Sequence, residues 1–128
     1  MTAPPLTIRL ERVHDVLDEH GPAPGERRVL VDRLWPRGVK KERLAHDEWD
    51  KDVTPSTALR TAFHHGELDF EEFAARYRQE LETGDAAGEL LERTRQAGAS
   101  TLVLLYAAKD TAHNHAQVLR DVLEEHGR

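Results

Sequence analysis

Leu6, Ile8 and Leu10 stand between the polar residues Thr7, Arg9 and Glu11. Successive side chains of a strand point to opposite faces, so this alternation predicts a half-buried strand near the start of the chain. Gly21-Pro22-Ala23-Pro24-Gly25 reads as a turn. Beyond it, Val29-Leu30-Val31 is apolar without alternation, the pattern of a strand covered on both faces, and it stops at Asp32. From Leu34 to Val53 no period persists, and the segment is expected to be irregular apart from one helical turn around Glu42 to Trp49. Thr54-Pro55 resembles an N-cap followed by proline at the first helical position, which predicts a helix through Leu59 and Phe63.

The clearest helical signal follows. Asp69 with Glu72 mimics a capping box, and Phe70, Phe73, Ala74, Tyr77 and Leu81 recur at helical spacing until Gly84 stops the run. Leu90, Leu91, Thr94 and Ala97 predict another helix closing at Gly98. Thr101-Leu102-Val103-Leu104-Leu105-Tyr106 is the most apolar stretch and reads as a central strand. Ala107-Ala108-Lys109-Asp110 then leads into a last helix capped by Asp110 or Thr111, with Ala112, Ala116, Leu119, Val122 and Leu123 inward and Gly127 at its end. Strands interleaved with helices predict an α/β fold: a single domain over residues 1–128, with a small, mostly parallel sheet of about three or more strands and helices packed around it. Strand order is not encoded in these patterns.

Composition narrows the chemistry. The chain has 128 residues, enough for one core that buries roughly two thirds of the unfolded surface. It has no cysteine, which excludes disulfides, a thiolate nucleophile and cysteine-built metal centres. Met1 to Pro5 show no basic region leading into an apolar core, and no apolar run approaches the roughly 18 residues of a membrane span, so a cytoplasmic protein without membrane contact is expected. Acidic residues outnumber basic ones, 24 to 18, which argues against coating nucleic acid by bulk charge. Within this balance Arg27, Arg28, Arg33, Arg37, Lys40, Lys41 and Arg43 form one basic stretch, opposed only by Asp32 and Glu42.

Ligands of open α/β sheets bind beyond the carboxyl ends of the strands, where loops converge and helix N-termini point their amides. Two segments qualify: Asp32-Arg33-Leu34-Trp35-Pro36-Arg37-Gly38, and Ala107-Ala108-Lys109-Asp110 with Asn114-His115. Together with Trp49-Asp50-Lys51-Asp52, Pro55-Ser56, Leu59-Arg60, Phe73 to Tyr77 and Glu80-Leu81, they make the chain resemble the YeaO-like branch of the DUF488 family from about Ile8 to Leu123. The resemblance implies no activity that can be carried over. In the wider family the comparable strand end looks cysteine-bearing and is followed by a cysteine-histidine-arginine cluster; this chain has no cysteine there, so a thiol or metal role does not transfer.

The residues themselves say more. Arg33 and Arg37, on a loop stiffened by Pro36 and turned at Gly38, offer planar guanidinium forks to a phosphate or carboxylate, with Trp35 and Asn114 as further ligand contacts. Lys109 adds a point charge from the neighbouring strand end, and His115, early in the last helix, is the candidate to pass a proton. A small anionic ligand is therefore the expected partner, with His115 and Lys109 as the catalytic candidates if the domain is an enzyme. The alternative is a non-catalytic regulatory or interaction module whose basic segment docks a protein or nucleic acid, although the segment after Thr54 carries too few basic residues for a recognition helix. Purely structural roles compete with both: Arg33 paired with Asp32, Glu48 or Asp50, Trp35 as a buried lid, Lys109 at a helix end, Trp49 packed with Lys51 and Asp52 solvated. His113-Asn114-His115 spells a nuclease name but lacks its ββα context, and His64-His65 with Glu67 has no third ligand at chelating spacing, so no metal site is expected. No glycine-rich phosphate loop, G-x-S-x-G elbow or dinucleotide fingerprint names a cofactor. Oligomeric state is not encoded.

Overall fold

The alternation at Leu6, Ile8 and Leu10 becomes β1 (Thr7–Arg12), and the unalternated run becomes β2 (Glu26–Leu30) in a computed structural model that describes residues 6–126. The apolar stretch near the C-terminus is β4 (Thr101–Tyr106). A further strand, β3 (Glu48–Trp49), lies where one helical turn was expected; the only helical element there is a 3-10 turn at Lys41–Arg43. Four helices are described: α1 (Thr57–His64), α2 (Phe70–Thr83), α3 (Ala86–Gln96) and α4 (His115–His126).

The sheet has the order β1-β4-β2-β3, and every pairing is parallel. Leu10 and Val29 flank Leu104, and Leu30 lies opposite Trp49. The order puts β4, the most apolar segment, at the centre, where both of its edges are paired and Leu102 to Leu105 are wholly buried. All four carboxyl ends therefore open on one edge of the sheet. The sheet's alternation divides the core. Val29, Val31, Leu102, Leu104 and Tyr106 face the helices, meeting Phe73, Tyr77, Leu90, Leu91, Leu119 and Leu123. Leu30, Val103 and Leu105 face the other way, onto Val13, Val16, Val39 and Leu44, with Trp35 and Trp49 packed against them. Irregular chain with short 3-10 turns at Val13–Asp15 and Lys41–Arg43, rather than α-helix, covers this second face.

Local chemistry explains the helix ends. In α2 the Asp69 side chain accepts from the Glu72 amide at 2.8 Å, as the capping box predicts. In α1 the cap is Ser56, whose hydroxyl accepts from the Leu59 amide at 3.2 Å. Thr54 instead donates its hydroxyl to the Lys51 carbonyl at 2.6 Å, closing a turn, so the helix begins two residues later than Thr54-Pro55 suggested. The α4 cap is also displaced. Asp110 accepts from the Ala112 and His113 amides at 2.9 Å each, an extra turn outside the helix, while Asn114 accepts from Gln117 at 3.2 Å and is the cap. Ala112 is consequently exposed rather than inward, whereas Ala116, Leu119, Val122 and Leu123 are buried as expected; Gly127 lies outside the described residues. Gly98, at φ +74°, ends the α3 region in the left-handed conformation that glycine adopts without strain.

Two polar devices hold β3 and α2 in place. Glu48 bonds Arg27 at 2.8 Å and Arg93 at 2.9 Å, and Arg93 reaches the buried Asp50 at 2.7 Å, tying the edge strand to α3. Burial pushes the Glu48 carboxyl up, but the two guanidiniums outweigh it and hold the group below its ordinary value. At Asp50 burial wins over Arg93, and the carboxyl is raised. The fully buried Tyr77 donates its hydroxyl to the Val53 carbonyl, and burial drives its pKa well above the ordinary value.

Candidate functional site

Asp32 is the first residue beyond the β2–β4 pairing and joins several elements. Its carbonyl accepts from the Trp49 indole at 2.6 Å and its Oδ2 from the Ala107 amide at 3.0 Å. Its Oδ1 lies 3.1 Å from His115 Nε2. That nitrogen is also 2.8 Å from the Val31 carbonyl, which can only accept, so Nε2 carries the proton and donates it there. Asp32 Oδ1 then has no hydrogen-bond partner among the described residues. The lone pair of a neutral His115 ring falls on Nδ1, for which no hydrogen-bond partner exists among the described residues. The carboxyl ends of β2, β3 and β4 are thus stitched to the first turn of α4.

Around this stitch opens a cleft of about 460 Å³. It is lined by Asp32, Arg33, Leu34 and Ala108 at the strand ends; by His113, Asn114 and His115 at the start of α4; by Pro55, by Arg60, Thr61, Phe63 and His64 of α1 and by His65 just after it; and by Phe73 of α2. The place is the one expected of an open parallel sheet, between the ends of neighbouring strands whose chains depart in different directions. Arg33 and Arg60 have no carboxylate within 4 Å among the described residues. Arg33 makes one long hydrogen bond, 3.4 Å to the Thr54 hydroxyl. Glu48 and Asp50, the partners that a structural role for Arg33 would have needed, are engaged with Arg27 and Arg93 instead.

Of the residues singled out in the sequence, the cleft brings together Arg33, Asn114 and His115. Asn114 is buried and its amide is already committed, donating to the Asp110 carbonyl at 2.8 Å while capping α4. Trp35 packs on the opposite face of the sheet, 5.5 Å from Trp49 edge-on, and donates to the Val39 carbonyl at 2.6 Å. Arg37 and Lys109 are exposed and do not line the cleft, so the expected meeting of Arg33 with both is not what the fold produces. Arg37 sits in a turn closed by the Val39 amide donating to the Pro36 carbonyl at 3.3 Å, with Gly38 at φ +77°.

Sequence reasoning gave Arg60, Phe63 and His64 no place in a ligand site: Arg60 entered only through the family resemblance, Phe63 only as a helix residue, and His64 only as a discounted metal ligand. Their spacing of i, i+3 and i+4 puts them on one helical face, and that is the signal that could have found them. His65 and His113 also border the cleft; His113 stands edge-on to Phe70 at 5.2 Å, with Nδ1 3.3 Å from Asp110. Among the described residues no three histidine or acidic side chains converge as a metal centre requires, and no helix is long and apolar enough to cross a membrane.

A family model described as the inactive DUF488-N3 subclade matches residues 7–127. The chain is 46% identical over 118 residues to the uncharacterized protein YeaO of Escherichia coli, covering 92% of this chain and 97% of the relative. It is 40% identical over 116 residues to the uncharacterized protein Rv3073c of Mycobacterium tuberculosis, covering 91% and 92%. No solved structure matches. With family model and relatives both spanning nearly the whole chain, the protein belongs to the YeaO-like branch of the DUF488 family, in its inactive N3 subclade.

Proposed function

We propose that this is a cytoplasmic ligand-binding domain that holds a small phosphate- or carboxylate-bearing molecule in the cleft, between Arg33 on the β2 exit loop and Arg60 on α1. One observation carries the reading: in a chain with more acidic than basic groups, two guanidiniums border the same cleft without a carboxylate partner among the described residues. Guanidiniums pair with oxyanions through parallel hydrogen bonds, and each such charge-assisted bond contributes about 1.5–3 kcal/mol. Asp32 is the single carboxylate of the cleft; its Oδ2 accepts from the Ala107 amide and its buried Oδ1 lies 3.1 Å from His115 Nε2. His115, held by Asp32 and Val31, contributes a fixed ring to the wall. Binding without covalent chemistry agrees with the absence of cysteine and with the word "inactive" in the family description.

Titration calorimetry with inorganic phosphate, a nucleoside monophosphate and a dicarboxylate tests this. Wild type is expected to bind at least one of them, and Arg33→Ala and Arg60→Ala to weaken that binding about tenfold or more each. Arg37→Ala and Lys109→Ala, outside the cleft, should bind as wild type does. Absence of binding by wild type across the panel contradicts the reading.

A docking role for the opposite side has its own observation. Lys41 lies 5.7 Å from the Trp35 ring and Lys51 4.2 Å from the Trp49 ring, and neither lysine has a carboxylate partner among the described residues. Salt-dependent retention on immobilised nucleic acid, lost in a Lys41→Ala, Lys51→Ala double variant, would support that reading over the cleft.

A further inference from the structure

The cleft is larger and more apolar than a bare oxyanion needs. At about 460 Å³ it falls within the range of roughly 300–1,000 Å³ typical of sites that enclose a small organic molecule. Its lining alternates in character. Cations stand at Arg33 and Arg60, whereas Leu34, Pro55, Phe63, Phe73 and Ala108 supply carbon.

One of these apolar groups is left open to solvent, and another is only partly covered by the core. Leu34 is 68% exposed, the one large apolar side chain left so open among the described residues, and it adjoins Arg33 in the chain. Phe63 is half-buried at the margin of the core, stacked on Phe73 at 4.4 Å and 23°, and it lines the cleft. A hydrated inorganic ion gains nothing from either surface. A ring or similar flat body laid against them removes apolar area from water on both partners.

We propose that the ligand is an amphiphilic anion: an acidic head group held by Arg33 and Arg60, carried on a planar apolar body that packs against Leu34 and Phe63. This rests on the anion-binding reading of the cleft and adds the class of molecule to it. The spacing is built in, because Leu34 follows Arg33 directly and Phe63 stands one helical turn beyond Arg60, so each cation is matched with an apolar neighbour on its own element.

The experiment is a calorimetric comparison of inorganic phosphate, phenyl phosphate and benzoate on the full chain. Phenyl phosphate is expected to bind about tenfold or more tightly than inorganic phosphate, the gain from burying a ring. Benzoate reports whether a carboxylate head serves as well as a phosphate. Leu34→Ser, at an exposed position that leaves folding intact, should bring the ratio of phenyl phosphate to phosphate affinity down severalfold; Phe63→Ala should do the same, with circular dichroism confirming that the helix persists. Equal affinity for phenyl phosphate and phosphate would overturn the amphiphilic class while leaving anion binding in place. A ratio unmoved by Leu34→Ser would overturn it too. No binding of any of the three probes would overturn both proposals together.

Discussion

His115 borders the cleft with the same ring that holds the fold together. Its Nε2 donates to Val31 and lies 3.1 Å from Asp32, so removing the ring leaves the Val31 carbonyl without a donor and Asp32 without a polar neighbour. His115→Ala is expected to cost about 1–2 kcal/mol in urea unfolding, the usual penalty for a strand-end carbonyl left unpaired. Tyr77→Phe removes the donor of the buried Val53 carbonyl and should cost about 1 kcal/mol by the same measurement. Single residues were unequally legible. Arg33 could be placed at the strand-end cleft because an arginine soon after a buried strand has few other places to go. Asn114 could not be assigned, since one amide serves equally to cap a helix or to contact a guest, and only the Asp110 and Gln117 partners decide between them. Trp35 was beyond reach because its destination depends on Trp49, far along the chain.

At the scale of elements, the turn made by Asp110 and the cap made by Asn114 separate two roles that the sequence merges. Asp110 is exposed and orders two amides in a solvated turn; Asn114 is buried and starts the helix that forms one wall of the cleft. Asn114→Ala should therefore cost about 1–2 kcal/mol in unfolding free energy and Asp110→Ala distinctly less. Equal costs would mean that the helix begins at Asp110 after all. Elements with their own pattern were readable: α2 from its capping box and apolar stripe, β4 from the five consecutive apolar or aromatic residues Leu102 to Tyr106 with both faces covered. β3 was not. It is two residues long, has no alternation to detect, and exists because the Asp47 and Asp50 amides find the Arg28 and Leu30 carbonyls of a neighbouring strand. The start of α1 was misplaced for a related reason, as Thr54 and Ser56 are both good caps and the Lys51 carbonyl claims the first.

The whole molecule responds to pH through its ion pairs. A hydrogen bond from Arg9 holds Glu26 below its ordinary value, and Glu48 is held down by Arg27 and Arg93 against its burial. A carboxyl lowered in the fold stabilises it fully above the unfolded value, and that contribution fades as pH falls through the folded value. Asp50, raised by burial, works in the opposite sense and offsets part of the loss. The urea midpoint should thus drop between about pH 6 and pH 3, and Glu48→Gln should both lower stability near neutrality by about 1 kcal/mol and flatten the acid decline. An unchanged slope in that variant would remove Glu48 from the account. Parallel strand direction follows from the strand–helix alternation, but the cleft does not, because it is made by residues from four separated stretches whose meeting is set by the strand order β1-β4-β2-β3. The central claim is that an anion enters between Arg33 and Arg60, and its most direct test is to follow backbone amide resonances as inorganic phosphate or phenyl phosphate is added. The account predicts that shifts concentrate at Asp32 to Leu34, Arg60 to His65 and His113 to His115; shifts confined to Arg37, Lys40, Lys41 and Lys51, or none anywhere, would contradict it.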